Sequence, residues 1–141
     1  MKERISCSVI VPVYNEELVI AETYSKIKEV LDSSGDGYEI IFVNDGSCDK
    51  TREKIELICL NDANAVLLNL SRNFGHQAAI SAGMEASAGD SVVVIDGDLQ
   101  DPPEVILRMI GKWREGFDVV YGKRLKREGE TWFKKVTAAS Y

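Results

Sequence analysis

Histidine is almost missing from this sequence: His76 is the single one in 141 residues. Structural and catalytic zinc sites draw on several Cys and His side chains, so this scarcity all but excludes one. The three cysteines, Cys7, Cys48 and Cys59, cannot all pair and form no CxxC, which reads as reduced thiols in a cytoplasmic protein. No run approaches the roughly 18 apolar residues of a transmembrane helix. The opening "MKERISCSVIVPVY" lacks the long apolar centre of a signal peptide and runs directly into a strand. Basic residues are also in the minority. With 17 Lys and Arg against 23 Asp and Glu, a net charge of −6 argues against general nucleic-acid binding.

Three common phosphate and metal motifs are absent as well. No GxGxxG follows a strand; "GDGYEI" lacks the third glycine and precedes a strand instead. There is no GxxxxGK[ST], which removes the P-loop kinases and GTPases. A calcium loop counted from Asp96 would need glycine where Asp101 stands and glutamate where Leu107 stands.

What the chain does have is a core and a rhythm. Hydrophobic content of 45% in 141 residues suits one globular domain. Apolar β-branched runs at 8–13, 39–43, 65–70, 92–95 and 117–121 read as strands. Between them the spacing predicts helices over 16–31, from a cap at Ser47 or Asp49 to about 60, over 76–86, and over 104–115 behind Pro102 and Pro103. The run Val92, Val93, Val94, Ile95 is expected to be buried on both faces. Such alternation with short connections is an α/β fold with a mainly parallel sheet flanked by helices.

Ligands of such sheets bind beyond the carboxyl ends of the strands. Polar clusters stand at each of those ends: "YNEE", "NDGS", "SRN", "DGDLQD" and "GKR". In the fourth, Asp96 and Asp98 are like charges one residue apart, an arrangement that invites a cation. If the chain stays extended, Asp96, Asp98 and Gln100 point to one side and can share a hard divalent ion that neutralises a diphosphate. Arg124, past the fifth strand, can complete the anion site with its fork of donors.

The stretches "VIVPVYNEE", "EIIFVNDGSCDKT", "LSRNFGHQAAISAGMEASAGDSVVVIDGDLQDPPEVI" and "GFDVVYGKRLKREGE" resemble family 2 glycosyltransferases of the Rossmann-like GT-A fold. Their wording is most similar to the polyprenyl-phosphate group, which includes bactoprenol glucosyltransferases, undecaprenyl-phosphate aminoarabinose-type transferases and dolichyl-phosphate mannose synthase. The resemblance implies that Pro12, Tyr14 and Glu16 begin the nucleotide site and that Val43 and Asp45 meet base and ribose. It also implies that Asp96, Gly97 and Asp98 meet the sugar nucleotide and its Mg2+ or Mn2+, with Gln100 a further metal ligand and Arg124 near the diphosphate. Asp96, Asp98 and Arg124 are then the catalytic set. Arg72, Asn73 and His76 lie in a loop near the substrate.

The implied reaction is inverting, metal-dependent transfer of a sugar from a nucleoside-diphosphate sugar, UDP-glucose by preference, to undecaprenyl phosphate. The implied place is the cytoplasmic face of a membrane; oligomeric state stays open. A GDP-mannose enzyme, a non-catalytic sugar-nucleotide module and a nucleotidyltransferase are the alternatives, the last disfavoured because "VPVYNEE" holds no glycine. Residues 1–141 are expected to be one incomplete catalytic domain, with the donor part over 1–121 and an acceptor or membrane-proximal segment over 122–141. That last segment carries Lys123, Arg124, Lys126, Arg127, Lys134 and Lys135 against Glu128 and Glu130. "GETWFKKVTAASY" reads as the start of an amphipathic segment, and Trp132 and Phe133 beside two lysines suit a membrane interface.

Overall fold

The computed structural model describes residues 4–124 and 134–139. The chain divides into two compact units, Met1–Pro103 and Glu104–Tyr141. In the first, β1 (Cys7–Val13), α1 (Ile20–Ser34), β2 (Tyr38–Asn44), α2 (Thr51–Asn61), β3 (Ala65–Asn69), α3 (His76–Ala86) and β4 (Ser91–Val94) alternate in the order expected. The four strands form one parallel sheet in the order β3-β2-β1-β4. After β3 the chain returns to the other side of β1, so the order reverses between β1 and β4 and leaves a crevice at their carboxyl ends.

Strand β1 carries the register. Cys7 pairs with Tyr38 and Val13 with Asn44 on one side; Cys7 pairs with Ser91 and Ile10 with Val94 on the other. Ile95 N–H donates to Ile10 O, and Asp45 N–H to Val13 O. Pro12, two residues past Ile10, therefore turns its nitrogen to the β4 side beyond the last rung, where no N–H is needed. One face of the sheet is sealed by α3, through Ile10, Ile41, Val43 and Ala79. Gly83 makes this close approach possible, because a Cβ there would lie 2.6 Å from Ile10 Cγ2. Ile20, Thr23, Ile27 and Leu31 form the buried stripe of α1, which ends at Gly35 with φ 74°. At the opposite end of the strands, buried Glu39 accepts from Ser8 Oγ at 2.6 Å and from Ala88 N–H at 2.7 Å, pinning the entry to β4.

Three expectations need correction. The first helical element begins at Ile20 and not at residue 16, and Leu18, expected in its apolar stripe, is 92% exposed. Strand β4 is not buried on both faces: Val92 and Val94 are 37% and 38% exposed. They stand beside Ser8 and Ile10 at the end of the sheet, where β4 has one strand neighbour among the described residues.

The third concerns the second unit. It holds α4 (Val105–Arg114), β5 (Val119–Arg124) and β6 (Lys134–Ala139), and β5 pairs antiparallel with β6 in a separate two-stranded sheet. Among the described residues the fifth strand is thus paired with β6 and is no member of the parallel sheet. Part of the basic tail is strand, with Lys123 opposite Lys135 and Arg124 opposite Lys134.

Candidate functional site

Beyond the ends of β1 and β4 lies a cleft of about 340 Å³ lined by Pro12, Val13, Tyr14, Glu16, Asp45, Asn73, Gly75, His76, Ala79, Asp96, Gly97 and Asp98. Its first wall follows β1. Asn15 takes a left-handed φ of 51°, and its amide N–H donates to Ser47 Oγ at 2.9 Å while Cys48 N–H donates to Asn15 Oδ1 at 2.8 Å. Glu16 N–H donates to Thr51 Oγ1 at 2.8 Å and Glu17 N–H to Asp49 Oδ2 at 3.2 Å. These borrowed caps satisfy the amides ahead of α1 and latch the two loops together. They are also why regular helix starts late.

The second wall is the acid loop after β4. Gly97 is buried against β1, where a Cβ would lie 2.8 Å from Val13 Cγ1, and its carbonyl accepts from the buried Thr23 hydroxyl at 2.9 Å. Leu99 then turns left-handed with φ 63°, and Gln100 N–H donates to Asp98 Oδ1 at 3.1 Å. The segment is therefore a tight Asx-type turn and not the extended run that would aim Asp96, Asp98 and Gln100 to one side. Asp96 and Asp98 line the cleft; Gln100 is exposed and does not.

The third wall precedes α3. Asp45, only 5% exposed, spends both carboxylate oxygens on backbone: Phe74 N–H donates to Oδ1 at 2.8 Å and Gly75 N–H to Oδ2 at 3.1 Å. Gly46, with φ 74°, lies so close that a Cβ would stand 2.4 Å from the Asn73 nitrogen. Segment 73–75 is thus gripped by the loop after β2. His76 opens α3 and faces the acid loop, its Nε2 3.5 Å from Asp96 Oδ1.

Electrostatically the cleft is under-neutralised. Partial burial, and then the negative charges of Asp98, Asp49 and Asp96, push the Glu16 carboxyl above its ordinary value. Asp49 goes the other way: burial would raise it, but donors from Thr51 and Glu17 outweigh that and hold it low. Because the fold favours protonated Glu16, that contribution is full below the ordinary glutamate range and is lost as pH rises through the raised value. Glu16→Gln is therefore expected to stabilise the ligand-free protein at pH 7, by less than about 1 kcal/mol for so accessible a group. The gain should shrink towards pH 4 in parallel urea titrations. An equal gain at both pH values would remove the charge explanation.

Among the described residues no cluster of three His, Cys, Asp or Glu side chains can hold a metal ion unaided. Asp96 and Asp98 still offer hard oxygen ligands in a cleft whose described lining holds no Lys or Arg. That suits a magnesium-like ion which keeps waters and shares phosphate oxygens, and does not suit an all-protein cage.

Of the residues expected at a nucleotide site, Pro12, Tyr14, Glu16, Asp45, Asp96, Gly97 and Asp98 converge on the cleft. Val43 does not line it; the residue is fully buried in the core beneath α3. Arg124 belongs to β5 in the other unit, and Arg127, Trp132 and Phe133 lie outside the described residues. Sequence reasoning missed Thr23, a polar residue on the buried stripe of α1 whose hydroxyl needed a partner. It also missed Gly75, whose φ of 104° only glycine adopts readily.

Residues 8–139 match the model of the family described as glycosyl transferase family 2. The chain belongs to this family. It is 56% identical over its whole length to an uncharacterised glycosyltransferase, YkcC, of Bacillus subtilis, and covers 44% of that protein. It is 42% identical to the bactoprenol glucosyl transferase of Shigella phage SfX, covering 92% of this chain and 45% of the phage protein. The chain thus spans less than half the length of these relatives. Among solved structures, the mannosyltransferase PcManGT of Pyrobaculum calidifontis, in complex with GDP-Man and Mn2+, superposes with a TM-score of 0.67 at 28% identity, over 78% of this chain and 32% of that one. The architecture of this family 2 chain is accordingly the GT-A glycosyltransferase fold.

Proposed function

We propose that this chain is the donor-binding part of a glycosyltransferase that moves a sugar from a nucleoside-diphosphate sugar to a polyprenyl phosphate at the cytoplasmic face of a membrane. The observation that carries the reading is the cleft at the reversal of strand order, with Asp96 and Asp98 at its lip and a fixed loop on each remaining side. The bactoprenol glucosyl transferase relative supports the lipid acceptor and a glucosyl donor, for which UDP-glucose is the first proposal. The structure holding GDP-Man and Mn2+ keeps GDP-mannose as the second donor.

In this reading Tyr14, Glu16 and Asn73 border the nucleoside, and Asp96 and Asp98 hold a divalent cation, Mg2+ or Mn2+. That cation, when bound, offsets the charge of the departing diphosphate. The acceptor phosphate monoester is already ionised near pH 7, so no strong general base is required. The chain's task is to position two phosphates and exclude water, and in-line displacement inverts the anomeric carbon. Arg124 serves the donor diphosphate.

The test is transfer of radiolabel to undecaprenyl phosphate in vesicles by the full-length protein, from UDP-glucose and GDP-mannose in parallel. Lipid-linked label from UDP-glucose is the expected result. Label only from GDP-mannose would move the donor assignment, and hydrolysis or inertness with both would overturn the transfer reading.

A further inference from the structure

We propose that Thr23 is a positioning residue for the divalent cation, holding the Gly97 carbonyl so that Asp96 and Asp98 keep the arrangement that admits the ion. The proposal rests on the reading above, in which those two acids hold the cation, and adds a residue behind them. Thr23 sits on the buried stripe of α1 with Ile20, Ile27 and Leu31 and is 1% exposed. A hydroxyl among apolar side chains costs stability unless it is bonded, and a helical threonine can spend it on the preceding turn of its own helix. Here it crosses to the acid loop instead, donating to Gly97 O at 2.9 Å.

The acid loop needs such a hold. It leaves the sheet where Ile95 N–H donates to Ile10 O, and then Gly97 is packed so tightly that a Cβ would lie 2.8 Å from Val13 Cγ1 and 3.3 Å from Pro12 O. Close approach thus demands glycine, yet glycine is the residue whose backbone turns most freely. Without a restraint, the peptides joining Asp96 to Asp98 can swing and part the two carboxylates. Because the peptide group is planar, pinning the Gly97 carbonyl also fixes the amide nitrogen from which Asp98 departs.

The hold is itself anchored in the first wall of the cleft. Thr23 N–H donates to Val19 O at 2.9 Å and Ile20 N–H to Glu16 O at 2.9 Å, while Glu16 N–H is held by Thr51 Oγ1 at 2.8 Å. Helix α1 thereby ties the acid loop to the loops after β1 and β2. Groups that orient metal ligands without touching the ion commonly shift metal affinity about 10- to 100-fold when removed.

The full-length protein is titrated by calorimetry with UDP and with GDP, each in Mn2+ and in chelator, as wild type and as Thr23→Val, which keeps the branched shape and deletes the hydroxyl. Thr23→Val should weaken nucleotide binding in Mn2+ about tenfold and leave binding in chelator within about twofold of wild type. Thr23→Ser, which restores the donor, should return the Mn2+ affinity to within about threefold of wild type. A role confined to packing would lower the urea midpoint but leave the ratio of the two affinities as in wild type. That unchanged ratio in Thr23→Val, or a loss that Thr23→Ser fails to recover, overturns the Thr23 proposal and leaves the transferase reading standing. If Thr23→Val does not fold, Thr23→Cys, whose thiol is a weak donor, is judged by the same ratio. Wild type that binds neither nucleotide, or binds equally with and without Mn2+, overturns the cation reading and this proposal with it.

Discussion

Asp98→Asn will cut sugar transfer by about 10²- to 10³-fold, the usual loss when one element of transition-state charge stabilisation is removed. It will also abolish the dependence of nucleotide affinity on Mn2+. The fold should survive, because Asn can still accept the Gln100 N–H that closes the turn. Removing the charge also relieves Glu16, whose carboxyl is held high in part by Asp98. The ligand-free variant should therefore be at least as stable as wild type in urea. Normal Mn2+ dependence in this variant would take Asp98 out of the cation's surroundings.

The second large effect belongs to Asp45, and it is structural as well as functional. A carboxylate that is 5% exposed accepts two backbone N–H groups from the segment before α3. Asp45→Ala orphans both donors, at a cost of about 2–4 kcal/mol. The urea midpoint should fall accordingly with little change in slope. Asp45→Asn keeps one acceptor oxygen but sets its amide N–H against the second backbone N–H, so it should recover less than half of the loss. Because the same segment carries Arg72, Asn73 and His76, nucleotide affinity should fall with stability in both variants. A stable Asp45→Ala protein that binds nucleotide poorly would instead make Asp45 a direct ligand.

These roles show where the sequence is legible. Strand–helix alternation through α3 could be read because each segment announces itself locally, by β-branched runs, helical spacing and breakers such as "SSGDG". The clustering of polar residues at strand ends follows from parallel topology alone, and Tyr14, Glu16, Asp45, Asp96 and Asp98 do line one cleft. The half-exposure of Val92 and Val94 could not be read, since four apolar residues in a row look the same in a central strand and an outer one. Nor could the pairing of β5 with β6, which depends on a partner ten or more residues away.

The site's inner logic was hidden for a related reason. Asp45 looks like any turn acid in Asn-Asp-Gly until Phe74 and Gly75 are brought to it across 29 and 30 residues. Thr23 looks like a helix-surface threonine until the Gly97 carbonyl arrives from 74 residues away. Composition and motif locate the groups that meet a ligand. The groups that hold them in place are defined by tertiary hydrogen bonds.

In the proposed function the cleft between the ends of β1 and β4 binds a nucleoside diphosphate together with a divalent cation. Calorimetric titration of the wild-type protein with UDP and with GDP, each with Mn2+ and with the metal chelated, tests it most directly. Saturable binding of one of the two nucleotides, at least tenfold weaker without the metal, is the expected result. Binding of neither, or equal binding with the metal removed, would contradict it.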